Sequence, residues 1–99
     1  MDASTPQVAR LHVFVKGRVQ GVGFRFFTMQ AAWTHEVSGW VRNRYNGDVE
    51  VMAEGEQAAL EALLLDLQRG PAPASVSDVS VEWLPYQGEF TSFDPHETV

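Results

Sequence analysis

Apolar residues recur at two periods along this chain, at alternate positions in some stretches and at helical spacing in others. Leu11, Val13 and Val15 alternate with polar or aromatic neighbours, which predicts a first strand with one face on a core. The stretch from Phe24 to about Glu36 lacks glycine and proline and keeps apolar residues near one side of a helix. It predicts the first helix.

Two more alternating runs, 39–45 and 48–54, flank the dipeptide Asn46-Gly47. Because both residues of the pair tolerate positive φ, it favours a tight two-residue turn. The sequence therefore predicts a β-hairpin here.

The stretch from Glu56 to Arg69 predicts a second helix. Four leucines recur there at i, i+3, i+4 and i+7 spacing, namely Leu60, Leu63, Leu64 and Leu67. Gly70-Pro71 ends that helix, and a run rich in β-branched residues over 76–85 predicts the last long strand.

The predicted order is β-α-β-β-α-β. Two helices covering one face of an antiparallel sheet give a ferredoxin-like α+β sandwich, with room for a short fifth edge strand around Phe90 to Phe93. We expect one domain over 1–99, with residues 1–8 flexible. The large apolar residues are assigned to its core rather than to a cofactor pocket or a base-stacking platform: Phe24, Phe26, Phe27, Trp40 and the leucines of the second helix.

The composition favours a small domain held together by packing. The chain has 99 residues, of which 44% are hydrophobic, and no cysteine, so disulfides contribute nothing to its stability. No apolar stretch approaches the ~20 residues of a membrane span, and the polar opening lacks the regions of a secretory signal. We therefore expect a cytoplasmic monomer with no membrane partner.

The charge is distributed unevenly. The net charge of −6 argues against a nucleic-acid partner, but residues 16–44 hold five cations and only Glu36 as an acid, a local balance of +4. Such a basic region on an otherwise acidic protein could attract a small anion, although arginines on a solvated surface would give the same charge count. For Arg42 and Arg44 a solvated surface position is the preferred interpretation.

Residues 17–25, the glycine loop, join the first strand to the first helix with three glycines and a final Arg25. Glycines let backbone N–H groups turn toward one point, a helix N-terminus attracts anions, and a guanidinium matches phosphate oxygens. The loop lacks the Lys-Ser or Lys-Thr pair of a nucleotide P-loop, has Phe26 where a dinucleotide fingerprint needs glycine, and offers no cysteine nucleophile. It predicts phosphate binding without a nucleophile from the protein.

Two blocks of residues carry a specific resemblance. The pattern Gly17-x-Val19-Gln20-Gly21-Val22-x-Phe24-Arg25 resembles the first signature of the acylphosphatases. Gly39-Trp40-Val41-Arg42-Asn43, continued through Gly47-x-Val49 to Gly55, resembles the second. The similarity spans roughly Leu11 to Tyr86. It implies the same fold and the hydrolysis of an acyl phosphate, a small molecule, to a carboxylate and inorganic phosphate.

The resemblance also implies roles for site residues. Arg25 would bind the phosphate and Asn43 would orient the nucleophilic water. Backbone N–H groups of the loop would complete the phosphate site: Gln20, Gly21, Val22, Gly23, Phe24 and Arg25. A neutral carboxamide suits Asn43's role, because it donates and accepts hydrogen bonds without repelling a dianion. No cofactor is expected, and no metal, because His12, His35 and His96 share no metal-ligand spacing.

The chain departs from the family pattern at Trp33, His35 and Glu36, where Leu-Gly usually ends the first helix. Either Glu36 takes a left-handed conformation or that helix ends differently.

Two other functions stay open. One is a non-catalytic phosphate-binding or regulatory module of the same fold. The other is an RNA-binding sheet, which Phe14 and Met52 would suit but Glu50 and Glu54 would not. Which acyl phosphate is the physiological substrate is open as well.

Overall fold

A computed structural model describes residues 6–99 of the chain. The elements are β1 (Val8–Arg18), α1 (Phe24–His35), β2 (Ser38–Asn43), β3 (Val49–Glu56), α2 (Gln57–Arg69), β4 (Ser75–Leu84) and β5 (Phe93–Pro95). The strands form one sheet in the order β4-β1-β3-β2-β5. Neighbours are antiparallel except β2 and β5, which are parallel. The predicted ferredoxin-like α+β sandwich is confirmed, with a fifth strand at its edge.

One hydrophobic core lies between the sheet and the two helices. Alternation along β1 turns Leu11, Val13 and Val15 inward, where all three are fully buried. The register aligns Val13 with Val51 of β3, so that inward residues of adjacent strands meet. From α2 the core receives Leu60, Leu63 and Leu67, while Leu64 packs at its margin.

Two aromatic residues assigned to the core lie elsewhere. Phe26 is 58% exposed, because it follows the buried Phe24 by two residues and hence by about 200° around the helix. Trp40 precedes the inward Val41 on β2 and therefore points to the opposite, open face of the sheet, where it is half-buried and stacks on His96. The core assignment was wrong for both.

Helix α1 ends with Glu36 in the first of the two conformations considered for it. This residue adopts the left-handed conformation, with φ 60° and ψ 43°. Its N–H donates to the carbonyl of Trp33 at 3.2 Å, and the N–H of Val37 donates to that of Ala32 at 3.0 Å. The helix thus ends in the geometry that glycine usually supplies, with a glutamate in its place.

The hairpin is confirmed, but its turn is longer than predicted. The N–H of Arg44 donates to the carbonyl of Asp48 at 2.8 Å, and Gly47 N–H donates to the carbonyl of Arg44 at 3.1 Å. Three residues, 45–47, lie between, and of these only Gly47 has positive φ. The side chain of Asn46 accepts from Asp48 N–H at 3.0 Å, which stabilises the three-residue turn over the two-residue one.

Both ends of the described chain contribute to the sheet. Val8 opens β1 and pairs with Glu56; of the residues 1–8 expected to be flexible, 1–5 lie outside the described residues. The fifth strand begins at Phe93 rather than ending there. Between β4 and β5 the chain crosses the open face of the sheet, because Gln87 N–H and Glu89 N–H donate to the buried Glu54 carboxylate at 2.6 and 3.1 Å.

Candidate active site

The glycine loop turns sharply before α1. Gly21 and Gly23 adopt positive φ, 74° and 79°, and a Cβ at either residue would meet no atom within 4 Å. Glycine is therefore favoured here by backbone conformation and not by crowding. Gly23 is the N-terminal residue flanking α1, and no side chain caps the helix there.

The start of α1 leaves backbone donors free of helical partners. The first i→i−4 bond of the helix runs from Phe27 N–H to Gly23 C=O at 3.0 Å, so the N–H groups of Phe24, Arg25 and Phe26 precede the helical ladder. The first turn contains no acidic residue. Its partial positive charge and the Arg25 guanidinium therefore favour an anion at the same place.

A pocket of about 300 Å³ opens between the glycine loop, α1 and the end of β2. Its lining consists of Val19, Gly21, Gly23, Phe24, Arg25, Phe26, Met29, Asn43 and Pro95. Arg25 and Asn43, which are 18 residues apart in the sequence, thus meet at one cavity. A wider depression beside Pro6 and the first turn of α2 contains none of the predicted site residues.

The predicted backbone donors fall into two groups. Gly21, Gly23, Phe24 and Arg25 line the pocket, whereas Gln20 and Val22 do not. Gln20 has a different contact, which sequence reasoning missed. Its side-chain amide donates to the carbonyl of Arg44 at 2.7 Å and to that of Asp48 at 2.9 Å. A single side chain therefore joins the glycine loop to the turn that follows Asn43.

Asn43 is also fixed from its other side. It ends β2, where its backbone faces Val49 of β3, and its carbonyl accepts from Val99 N–H at 3.3 Å. The carbonyl of Val99 in turn accepts from Tyr45 N–H at 2.9 Å. Strand β3 and the residues after β5 thus hold the backbone of Asn43 between them.

Three of the five cations in residues 16–44 form ion pairs with carboxylates. Lys16 pairs with Asp48 at 2.8 Å, and Arg42 and Arg44 pair with Glu50 at 2.8 and 3.3 Å. The expectation that Arg42 and Arg44 are simply solvated was wrong, since Arg42 is only 24% exposed and also lies over the ring of Trp40. In contrast, Arg18 and Arg25 form no ion pair within residues 6–99.

Glu50 is the acidic centre of the open face. Burial alone would raise the pKa of its carboxyl group, but hydrogen bonds from His12 and Arg42 and their positive charges outweigh burial, so the pKa lies below its ordinary value of 4.5. His12 Nε2 lies 2.6 Å from the carboxylate. An acidic residue buried among cations on the central strands does not suit the RNA-binding sheet considered above.

Two further properties concern the described part of the chain. Within residues 6–99 no three or more histidines and carboxylates come together as a group that could hold a metal ion. None of the helices in that range is long and apolar enough to cross a membrane.

The fold and the pocket together define a ferredoxin-like α+β protein in which Arg25 and Asn43 line one pocket at the N-terminus of a helix. The sequence model of the family described as Acylphosphatase matches residues 11–95, and the chain therefore belongs to the acylphosphatase family of enzymes. The match extends past Tyr86, beyond which little resemblance was expected.

Similar proteins agree with this assignment. An acylphosphatase from Moorella thermoacetica is 48% identical over 84 residues, which cover 85% of this chain and 90% of that protein. One from Pseudomonas aeruginosa is 54% identical over 78 residues, covering 79% and 86%. The crystal structure of an acylphosphatase from Bacillus subtilis superimposes with a TM-score of 0.86 at 34% identity, covering 91% of this chain and 99% of that one.

Proposed function

We propose that the enzyme hydrolyses acyl phosphates by direct attack of a water molecule on phosphorus. Arg25 and the N–H groups at the start of α1 hold the phosphate, and Asn43 orients the water. The single observation that carries the proposal is the pocket shared by Arg25 and Asn43. It places a cationic, donor-rich wall and a neutral carboxamide around one small volume.

The electrostatics of the pocket support binding of a dianion. A cation in the first turn of a helix is unfavourable toward the helix dipole unless an anion compensates for it. Arg25 occupies such a position, is exposed, and has no carboxylate partner among residues 6–99. A bound phosphate would accept hydrogen bonds from its guanidinium and from the free N–H groups of the helix.

The chemistry requires little more than positioning. The oxygen of water forms a bond to phosphorus while the bond from phosphorus to the acyl oxygen breaks, and the carboxylate leaves with the electron pair. Because a carboxylate is a weak base, it leaves without a proton, and one proton of the water passes to an oxygen of the phosphoryl group, so that both water protons end on inorganic phosphate. Stabilising the charge of the phosphoryl group and placing the water in line with the breaking bond can supply most of the rate enhancement.

The proposal includes independence from metal ions and a monomeric state. Positive charge from Arg25 and the helix start takes the place that a cation has in other phosphoryl-transfer sites, and the net charge of −6 disfavours self-association. The monomeric state is checked by light scattering.

The decisive assay measures benzoyl phosphate hydrolysis with and without EDTA. Wild type should hydrolyse this substrate equally in both conditions, and inorganic phosphate should inhibit competitively. Arg25→Gln should raise the inhibition constant for phosphate at least about tenfold. Arg18→Gln is the matched control, because Arg18 also lacks an ion pair within residues 6–99 but does not line the pocket. A chelator-sensitive reaction, or equal inhibition constants in both variants, would contradict the proposal.

A further inference from the structure

The pocket is larger and less polar than phosphate binding requires. Its volume of about 300 Å³ lies at the lower end of the ~300–1,000 Å³ that small-molecule sites occupy. Arg25 is the only charged side chain in the lining formed by the described residues. Beyond the glycine loop, the wall from α1 is formed by Phe26 and Met29, which are three residues apart and therefore on the same side of the helix.

Phe26 is unusual because it is 58% exposed although it is a large apolar residue, and it lines the pocket beside Arg25. An exposed phenyl ring on a pocket wall presents an apolar surface that a ligand could cover, and covering it would remove that surface from water. Met29 is half-buried and its flexible side chain can adjust to ligands of different shape.

The direction of the reaction indicates which wall faces the acyl group. In an in-line displacement, the leaving group departs on the side of phosphorus opposite the attacking water. Asn43 and Pro95 belong to β2 and β5, which pair with each other, whereas Phe26 and Met29 belong to α1. With the water at Asn43 on β2, Phe26 and Met29 are the lining side chains on a separate element beyond the glycine loop, and the acyl group can lie against them.

We infer that Phe26 and Met29 form an acyl-group subsite that favours acyl phosphates with an aromatic or aliphatic acyl group over those whose acyl group carries a charge. The inference rests on the proposed function and adds a substrate class to it. A charged acyl group would lose hydration against this wall without gaining a partner. An apolar acyl group would gain from the contact.

The test compares three substrates, namely benzoyl, acetyl and succinyl phosphate, in four forms of the enzyme: wild type, Phe26→Ser, Phe26→Leu and Leu65→Ser. Leu65 is 67% exposed on α2 and serves as a matched control for loss of surface apolar area. We expect wild type to prefer benzoyl over acetyl phosphate in kcat/KM and to use succinyl phosphate least. Phe26→Ser should reduce the benzoyl preference about fivefold, because one apolar contact in a partly open pocket gives modest discrimination. The benzoyl preference of Phe26→Leu should lie between those of wild type and Phe26→Ser. The preference of Leu65→Ser should equal that of wild type.

The inhibition constant for inorganic phosphate separates this inference from the proposed function. It should stay within about twofold of wild type in Phe26→Ser, since the ring contacts the acyl group and not the phosphate. An unchanged benzoyl preference in Phe26→Ser would overturn the acyl subsite while leaving the proposed function intact. The acyl subsite would also be overturned if Phe26→Ser lost kcat/KM equally for all three substrates and was inhibited more weakly by phosphate. If wild type hydrolyses none of the three substrates, the proposed function fails and the inference fails with it.

Discussion

The side-chain amide of Gln20 donates to the backbone carbonyl of Arg44 at 2.7 Å, across 24 residues of sequence. Its second contact, to the carbonyl of Asp48 at 2.9 Å, reaches the other end of the same turn. Arg44 directly follows Asn43, and Gln20 lies in the glycine loop that ends at Arg25. This one amide therefore helps to set the distance between the two residues that we place on either side of the phosphate.

Gln20→Ala should lower kcat about tenfold, because small misplacements of a catalytic group cost large factors in rate. Gln20→Glu should lower kcat further, since a carboxylate would face two carbonyl oxygens. The diagnostic measurement is a double-mutant cycle of kcat with Asn43→Ala. If Gln20 acts by positioning Asn43, its removal should add little once Asn43 is gone. Full additivity would rule out that role, and Gln30→Ala, on the exposed side of α1, controls for the loss of an amide elsewhere.

Asn43→Ala should lower kcat by about 10²–10³-fold while leaving inhibition by inorganic phosphate nearly unchanged. The magnitude is that of removing one group that acts on the attacking nucleophile. Asn43→Asp should in addition weaken phosphate inhibition, because a carboxylate repels the dianion. Steady-state kinetics with phosphate as inhibitor distinguish the two effects. Equal turnover in wild type and Asn43→Ala would remove the water-positioning role.

Glu50 should make stability sensitive to acid. Its folded-state pKa lies below the ordinary value of 4.5, so its contribution is fully present above about pH 4.5 and is lost as the pH falls through the folded value. Glu50→Gln should destabilise the fold near pH 7 by about 1–3 kcal/mol, because Arg42 and Arg44 lose their partner. It should also flatten the loss of stability below pH 4.5, as urea unfolding at several pH values would reveal. Glu61→Gln, an exposed carboxylate outside the ion pairs of residues 6–99, should leave the slope unchanged.

Glu36→Gly should raise the free energy of unfolding by about 0.5–1 kcal/mol. A left-handed conformation costs a residue with a Cβ about 1–2 kcal/mol, and part of the gain is offset by the greater freedom of glycine in the unfolded chain. Glu36→Ala removes the same charge but keeps the Cβ, so it should not stabilise the protein. Thermal unfolding of both variants measures the difference. Equal stabilisation by alanine and glycine would attribute the effect to charge rather than to backbone conformation.

The sequence predicted those features that depend on local pattern. Alternation in β1 and the leucine spacing in α2 identified the elements, and element order identified the fold. The two signatures named Arg25 and Asn43, which the fold brings to one pocket. The predictions of elements and fold succeeded because they rest on periodicity and on element order, whereas the roles of Arg25 and Asn43 rest on short contiguous motifs and stay predictions.

The features that sequence reasoning missed depend on contacts between distant residues. The bonds from Gln20 cross 24 and 28 residues, and the partners of the buried Glu50, His12 and Arg42, come from two other strands. The exposure of Phe26 is set by how α1 is rotated against the sheet, which the helix's weak apolar periodicity leaves open. Strand β5 has only three residues, too few for any alternation to stand out.

Strand β5 also determines which strand borders the sheet on this side. Without it, β2 would present a row of unpaired N–H and C=O groups beside Asn43, the kind of border through which separate chains associate into cross-strand aggregates. Strand β5 pairs with β2, and the N–H groups of His96 and Val99 donate to the carbonyls of Val41 and Asn43 on that border. The strand that bears Asn43 is thereby shielded from intermolecular pairing while its side chain stays open to small molecules.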